Sequence, residues 1–242
     1  RKESCGFFRN EIIAQTVSAN INKMKHILLI FLIIQVSFGQ DVKSPAVLVL
    51  TPIEFKLDEK LISESKQFDN KLTDKQVEEC IAVKNESDNR DFVKKMNKVE
   101  CEFMRNSNIS KAFTSYLYEW LTFKLYGTFD DAIIYPAQGP EKRGLNEYKS
   151  LSEEYDVNWI INLKSLTFKN ESGNLNGIAN LELWNKNTNE ITLTTEIEID
   201  DKNYGGEMSC DNGTINCLFI NGVVYISHDI LKSMYSKEKY WR

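Results

Sequence analysis

The sequence predicts an α/β (α+β) fold: one domain with a mixed sheet, an antiparallel three-stranded meander within it, and helices packed on it. Three observations lead there. Ala46-Val47-Leu48-Val49-Leu50 is an unbroken apolar run between Pro45 and Pro52, the pattern of a strand buried on both faces. Residues 157–168, 177–184 and 190–199 read as three strands joined by Asn170-Glu171-Ser172-Gly173-Asn174 and Asn185-Lys186-Asn187-Thr188-Asn189, both rich in turn formers. Connections that short make antiparallel neighbours. Two segments, 107–126 and 214–236, carry apolar residues at the helical rhythm.

Taken in order, the first element is the run at 46–50, a strand. Residues 57–106 form a charged helical excursion. In it Thr73 caps a helix running into Cys80, residues 85–90 form a polar loop, and residues 91–104 form a helix. The clearest helix covers 107–126, with Ile109, Ala112, Phe113, Tyr116, Leu117, Trp120, Leu121 and Leu125 on one stripe and Gly127 at its end. A short strand at 132–135 is stopped by Pro136, and residues 145–155 form the next helix. Along the third meander strand Ile191, Leu193, Ile197 and Ile199 face one way. Glu190, Thr192, Thr194, Glu196 and Glu198 face the other, so one face packs and one meets water. The last helix has its stripe at Ile215, Leu218, Phe219, Val223, Ile226, Ile230 and Met234, with Asn212 as the expected cap.

Upstream of this domain lies an export signal. Met24 and Lys25 supply a positive start, residues 27–34 an uninterrupted apolar core, and Ser37-Phe38-Gly39 small residues three and one before a cut at Gly39/Gln40. The apolar core is shorter than the roughly 20 residues a spanning helix needs. The reading is therefore an upstream extension at 1–23, a signal peptide at 24–39 and a mature domain at 40–242. The expected location is periplasmic or secreted, with no stable membrane insertion after cleavage. The first mature residues, Gln40-Asp41-Val42, include no Cys for a lipid anchor.

Four cysteines follow the cleavage site: Cys80, Cys101, Cys210 and Cys217. In an oxidising compartment they form two disulfides, and of the three pairings Cys80–Cys101 with Cys210–Cys217 is favoured because it closes short loops. Reduced core thiols and a zinc site are the alternatives. The second has neither a C-x-x-C pair nor a histidine partner to support it.

Charge excludes other partners. The formal net charge is −5, and it becomes more negative on cleavage, since Arg1, Lys2, Arg9, Lys23 and Lys25 outnumber Glu3 and Glu11 in the leader. With no dense basic run, nucleic acid is not an expected partner, and neither is anionic lipid.

Catalytic signals are scarce. His228 is the single histidine of the mature chain, no G-x-S-x-G surrounds a serine, and neither H-E-x-x-H nor a phosphate-binding glycine loop is present. No catalytic, cofactor-binding or metal-binding residue is therefore assigned, and no cofactor is expected. Asp130-Asp131, Glu153-Glu154 and the group Glu196, Glu198, Asp200 and Asp201 are the carboxylates that a hydrolase could draw on, since a glycosidase needs only two placed acids. For the last group a solvated strand face is the preferred account. Asn85, Asn108, Asn170 and Asn212 each begin an N-x-S/T sequon. Three aromatics fall off the apolar faces: Tyr118 and Phe123 on the helix at 107–126, and Trp184 beside Asn180 and Glu182 on its strand. They are the candidate surface for a protein or glycan partner.

Some of these features are shared with a known family. Ala46 to Pro52 as first strand, Tyr155-Asp156-Val157-Asn158-Trp159-Ile160-Ile161 as a strand after a helix, and Gly177 to Trp184 followed by the polar turn Asn185 to Glu190 resemble bacterial envelope domains of the TolB amino-terminal, LpoB and CsgG type. The signal ending Phe38-Gly39-Gln40 is similar to that of Bacteroidetes exports. The resemblance implies an exported, non-enzymatic accessory or binding role in the cell envelope, with no motif residue to carry over. A small secreted hydrolase using a carboxylate pair is the alternative.

Overall fold

The computed structural model describes residues 44–88, 90–205 and 209–235. The signal and the segment before it lie outside those residues. The elements are β1 (Ala46–Leu50), β2 (Glu54–Leu57), α1 (Ile62–Ser65, flanked by 3-10 turns), β3 (Asn70–Lys71), α2 (Asp74–Ser87), α3 (Asp91–Phe103), β4 (Asn106–Ser107), α4 (Ile109–Tyr126), β5 (Ile133–Ala137), α5 (Leu145–Tyr155), β6 (Trp159–Glu171), β7 (Asn174–Asn185), β8 (Glu190–Asp200) and α6 (Ile215–Met234).

The main sheet runs β5-β1-β6-β7-β8, with β2 continuing the line of β1 along β6. β1 is parallel to both β5 and β6, and β6, β7 and β8 form the antiparallel meander. This is the expected α+β mixed sheet. β1, between β5 and β6, is buried throughout Val47–Leu50, which is why that sequence is apolar without alternation. Pro136 does not stop β5 but lies inside it, opposite Val49. β5 is an edge strand, so the N–H that proline lacks has no ladder partner to lose.

Two layers of helix cover the sheet. Leu166, Phe168, Ala179, Leu181 and Ile199 are buried on the face carrying α4 and α6, where Phe113, Phe168 and Phe219 pack with centroids 5.3–6.1 Å apart. Gly222 lets α6 approach closely, because a Cβ there would meet Ile199 Cδ1 at 3.0 Å and Phe113 Cε2 at 3.1 Å. The helical penalty of glycine, about 1 kcal/mol, is offset by that packing. On the opposite face α5 covers only one end of the meander. Its Tyr148 lies 6.1 Å from Trp184 and donates to Glu182 Oε2 at 3.0 Å.

Tyr148 belongs to a polar chain that ties the carboxyl ends of the parallel strands together. Arg143 donates to the carbonyls of Thr51, Gln138 and Pro140 and to Asn162 Oδ1, at 2.7–2.8 Å. Asn162 donates to the Tyr148 hydroxyl at 2.6 Å, and Lys164 to Glu182 at 2.9 Å. Burial works against the Glu182 carboxylate, but the bonds from Lys164 and Tyr148 outweigh it and hold the acid below the usual range.

The excursion folds as α1–α3 with the two-residue ladder β3–β4. Thr73 and Gln76 make a capping box on α2, which runs on through Asn85 and Glu86 to Ser87, beyond the predicted loop start. The disulfide Cys80–Cys101 joins α2 to α3, and Cys210–Cys217 ties the first turn of α6 to the preceding loop. Two disulfides are consistent with an exported protein. The α6 cap is Thr214, whose side chain accepts from Cys217 N, rather than Asn212. Among the described residues no helix is long and apolar enough to cross a membrane.

Candidate functional site: an aromatic cleft between α4, α6 and the end of β8

Each of the three off-stripe aromatics has a definite place, and only one lies on the surface. Trp184 is 1% exposed, because Tyr148 of α5 covers the face it shares with Asn180 and Glu182. Tyr118 is 4% exposed, its hydroxyl 3.2 Å from Glu100 Oε2 on α3. In both cases a second helical layer buries a position that lies off the main apolar face, so neither residue can form a partner surface. Phe123 is 57% exposed and stacks on Trp120 at 5.4 Å.

Glu100 is buried, paired with Lys84 Nζ at 2.7 Å, and burial followed by the Glu100 charge pushes the Tyr118 phenol above its ordinary range. This cluster joins α2, α3 and α4.

Of the carboxylates singled out for hydrolysis, Glu198 and Asp200 line one groove with Glu171, and Glu196 lines another with Glu54. Asp130 and Asp131 are exposed, as are Glu153 and Glu154 near the end of α5 and Glu196 and Glu198 on the open face of β8. Asp200 and Asp201 serve the chain itself: Asp201 accepts from Leu175 N, and Asp200 from Lys202 N and Tyr204. His228 is exposed, its Nδ1 3.3 Å from Asp229. Among the described residues no group of three or more His, Cys, Asp or Glu could hold a metal ion.

A different set of residues does converge. Next to Phe123 opens a cleft of about 530 Å³ lined by Trp120 of α4, Tyr204 of the loop after β8, and Ile220, Asn221, Val224 and Tyr225 of α6. Helical spacing places the α6 residues as two i, i+4 rungs on one face. The loop is held in place by local bonds. Asn221, 5% exposed, donates through Nδ2 to the Asp200 carbonyl at 2.7 Å, to Asp200 Oδ1 at 3.1 Å and to the Lys202 carbonyl at 2.9 Å. Gly205 N donates to Asn203 Oδ1 at 2.7 Å, and Asn203 N donates to Asn212 Oδ1. Tyr204, 65% exposed, donates to Asp200 Oδ2 at 2.7 Å. That bond, with Tyr225 beside it, raises the Tyr204 phenol above its ordinary range. Lys124 places its ammonium 4.9 Å from the Trp120 ring.

Sequence reading missed most of this cleft. Trp120 lies on the apolar stripe of α4 and reads as core. Val224 and Tyr225 lie off the α6 stripe, and that mismatch was the available signal. Tyr204 follows the last strand in a polar loop, with nothing in the sequence to mark it.

No protein-family model matches this chain, and no curated protein matches it in sequence.

Proposed function

We propose that the chain is an exported, non-enzymatic binding protein of the cell envelope or extracellular space, with the aromatic cleft as its binding surface. The observation that carries this reading is the cleft itself. Concave sites of about 300–1,000 Å³ with apolar walls and a few fixed polar groups are the usual form of a ligand site. Here the fixed polar group is Asn221 on α6, whose amide holds the loop after β8 through the carbonyls of Asp200 and Lys202. The disulfides support export. The placement among TolB-, LpoB- and CsgG-type envelope domains rests on the order of strands and helices alone.

The test is retention of envelope and culture-medium material on the immobilised oxidised chain, compared with Val224→Arg. Val224 is half-buried in the cleft wall, so arginine there fills the site with charge. Retention by the parent chain and its loss in the variant, with an unchanged melting temperature, is the expected result. No retained component, or equal retention by both, refutes the reading.

A further inference from the structure

An asparagine followed by glycine can react within the chain, because no side chain on the glycine shields its nitrogen from the asparagine amide carbon. The sequence holds three such pairs: Asn176-Gly177, Asn212-Gly213 and Asn221-Gly222. Closing the five-membered ring requires the backbone at the asparagine to turn until the glycine nitrogen reaches Cγ. A pair held in a hydrogen-bonded ladder cannot make that turn without opening the ladder.

Two of the three pairs are held. Gly177 lies in β7 between Phe168 of β6 and Ile199 of β8, so its strand is paired on both sides. Gly222 lies inside α6, where its N–H belongs to the helical ladder. Asn221 before it is 5% exposed, with its amide nitrogen bonded to three oxygens.

Asn212-Gly213 differs in each respect. Both residues are exposed, in the turn that precedes α6. Gly213 has a φ of 74°, a conformation that glycine adopts without strain. A Cβ built on it would meet nothing within 4 Å, so its nitrogen is approachable. The Gly213 N–H bonds the Asp201 carbonyl at 3.3 Å, longer than the usual range for such a bond. Asn212 Oδ1 accepts from Asn203 N, which draws electron density from Cγ and favours attack there.

We propose that Asn212 is a site of spontaneous deamidation. The Gly213 nitrogen gives its proton to solvent and bonds to Asn212 Cγ. The bond from Cγ to Nδ2 breaks, and Nδ2 leaves as ammonia. Water then opens the succinimide at either carbonyl, which leaves aspartate or isoaspartate at position 212. The net reaction consumes one water and releases one ammonia. The new carboxylate stands two residues before Thr214, the cap of α6, where the positive end of the helix dipole favours an acid. The isoaspartate form adds one backbone carbon to the loop closed by Cys210–Cys217.

The experiment incubates the freshly purified, oxidised chain in warm, mildly alkaline buffer and follows each pair by peptide mass spectrometry. Digestion in oxygen-18 water marks any conversion that occurs during digestion itself. A parallel sample is reduced and unfolded in guanidinium chloride. In the folded chain Asn212 should convert at least about tenfold faster than Asn176 and Asn221, which react only through local opening. In the unfolded chain the three rates should fall within about threefold of one another, because the ladders are gone. The product at 212 should be a mixture of isoaspartate and aspartate, separated by chromatography and identified by fragmentation. Two outcomes overturn the proposal. One is a folded chain in which Asn212 converts no faster than Asn176 or Asn221. The other is conversion to aspartate alone, which means direct hydrolysis without ring closure.

Discussion

Replacing Gly177 by alanine sets two opposite effects against each other, and the structure decides the sign. Alanine in a strand ordinarily stabilises by about 0.4–1 kcal/mol, because the unfolded chain has fewer conformations to lose. Nothing in the backbone opposes this, since Gly177 is not among the residues of positive φ. A Cβ at 177, however, would meet Phe168 Cδ1 at 2.7 Å, Phe168 Cε1 at 2.9 Å and the Thr167 carbonyl at 3.2 Å. The Phe168 ring cannot swing aside. It is fully buried and packed against Phe55, Phe113 and Phe219 at 5.8, 6.1 and 5.6 Å. Overpacking of this kind costs about 1–3 kcal/mol. The net expectation for Gly177→Ala is a loss of roughly 1–2 kcal/mol, or about 2–8 °C in melting temperature for a domain of this size. Urea unfolding of the oxidised protein followed by circular dichroism measures it, with Phe168→Leu and the double variant completing a cycle. Leucine vacates the ring's space, so the alanine cost should shrink by about 1 kcal/mol or more in that background. A Gly177→Ala protein as stable as the parent, or a cycle with no coupling, would refute the steric argument.

Four further outcomes are expected. Glu100→Ala removes a buried carboxylate bonded to Lys84 and Tyr118 and should cost about 2–3 kcal/mol, with Glu100→Gln costing less; urea unfolding compares them. Replacing Cys80 and Cys101 by serine opens a crosslink of sequence separation 21 and should cost about 3 kcal/mol, against about 2.5 kcal/mol for Cys210–Cys217 at separation 7. The Glu182 carboxyl titrates lower in the folded than in the unfolded chain. Its contribution is therefore intact above about pH 4.3 and fades as pH falls through the folded value, and Glu182→Gln should flatten this acid limb of a stability–pH curve. The Tyr118 and Tyr148 phenols titrate higher when folded, so their contribution is full below about pH 10 and lost above it. Tyr118→Phe should reduce the alkaline loss seen in the same curve.

Much of the fold was legible because local chemistry and tertiary structure agree there. The run at β1 is apolar on both sides because both sides are buried, and the turn formers between β6, β7 and β8 sit where the chain reverses. The third strand shows where alternation misleads. Ile191 pairs with Trp184 and Leu193 with Leu183, so Thr192 is an extra residue in the ladder. That bulge turns Ile191 to the opposite face from Leu193, Ile197 and Ile199, and leaves it 39% exposed. β2 was missed because Pro52 breaks the run, although the chain rejoins β6 two residues later.

By itself the sequence determined the α+β class, the order of the main helices and strands, the absence of the common catalytic motifs, and the pairs of cysteines with the shortest spacing. These follow from periodicity, turn chemistry and loop length, each a property of neighbouring residues. The tertiary structure alone decided which off-stripe aromatics are covered. Tyr118 and Trp184 are buried by α3 and α5, elements 14 or more residues away in the chain, while Phe123 stays exposed. It also decided that Trp120, Tyr204, Asn221 and Tyr225 share one cleft. Hydrophobic periodicity reports a side chain's face relative to its own element, whereas a cleft is defined by where separate elements fail to touch.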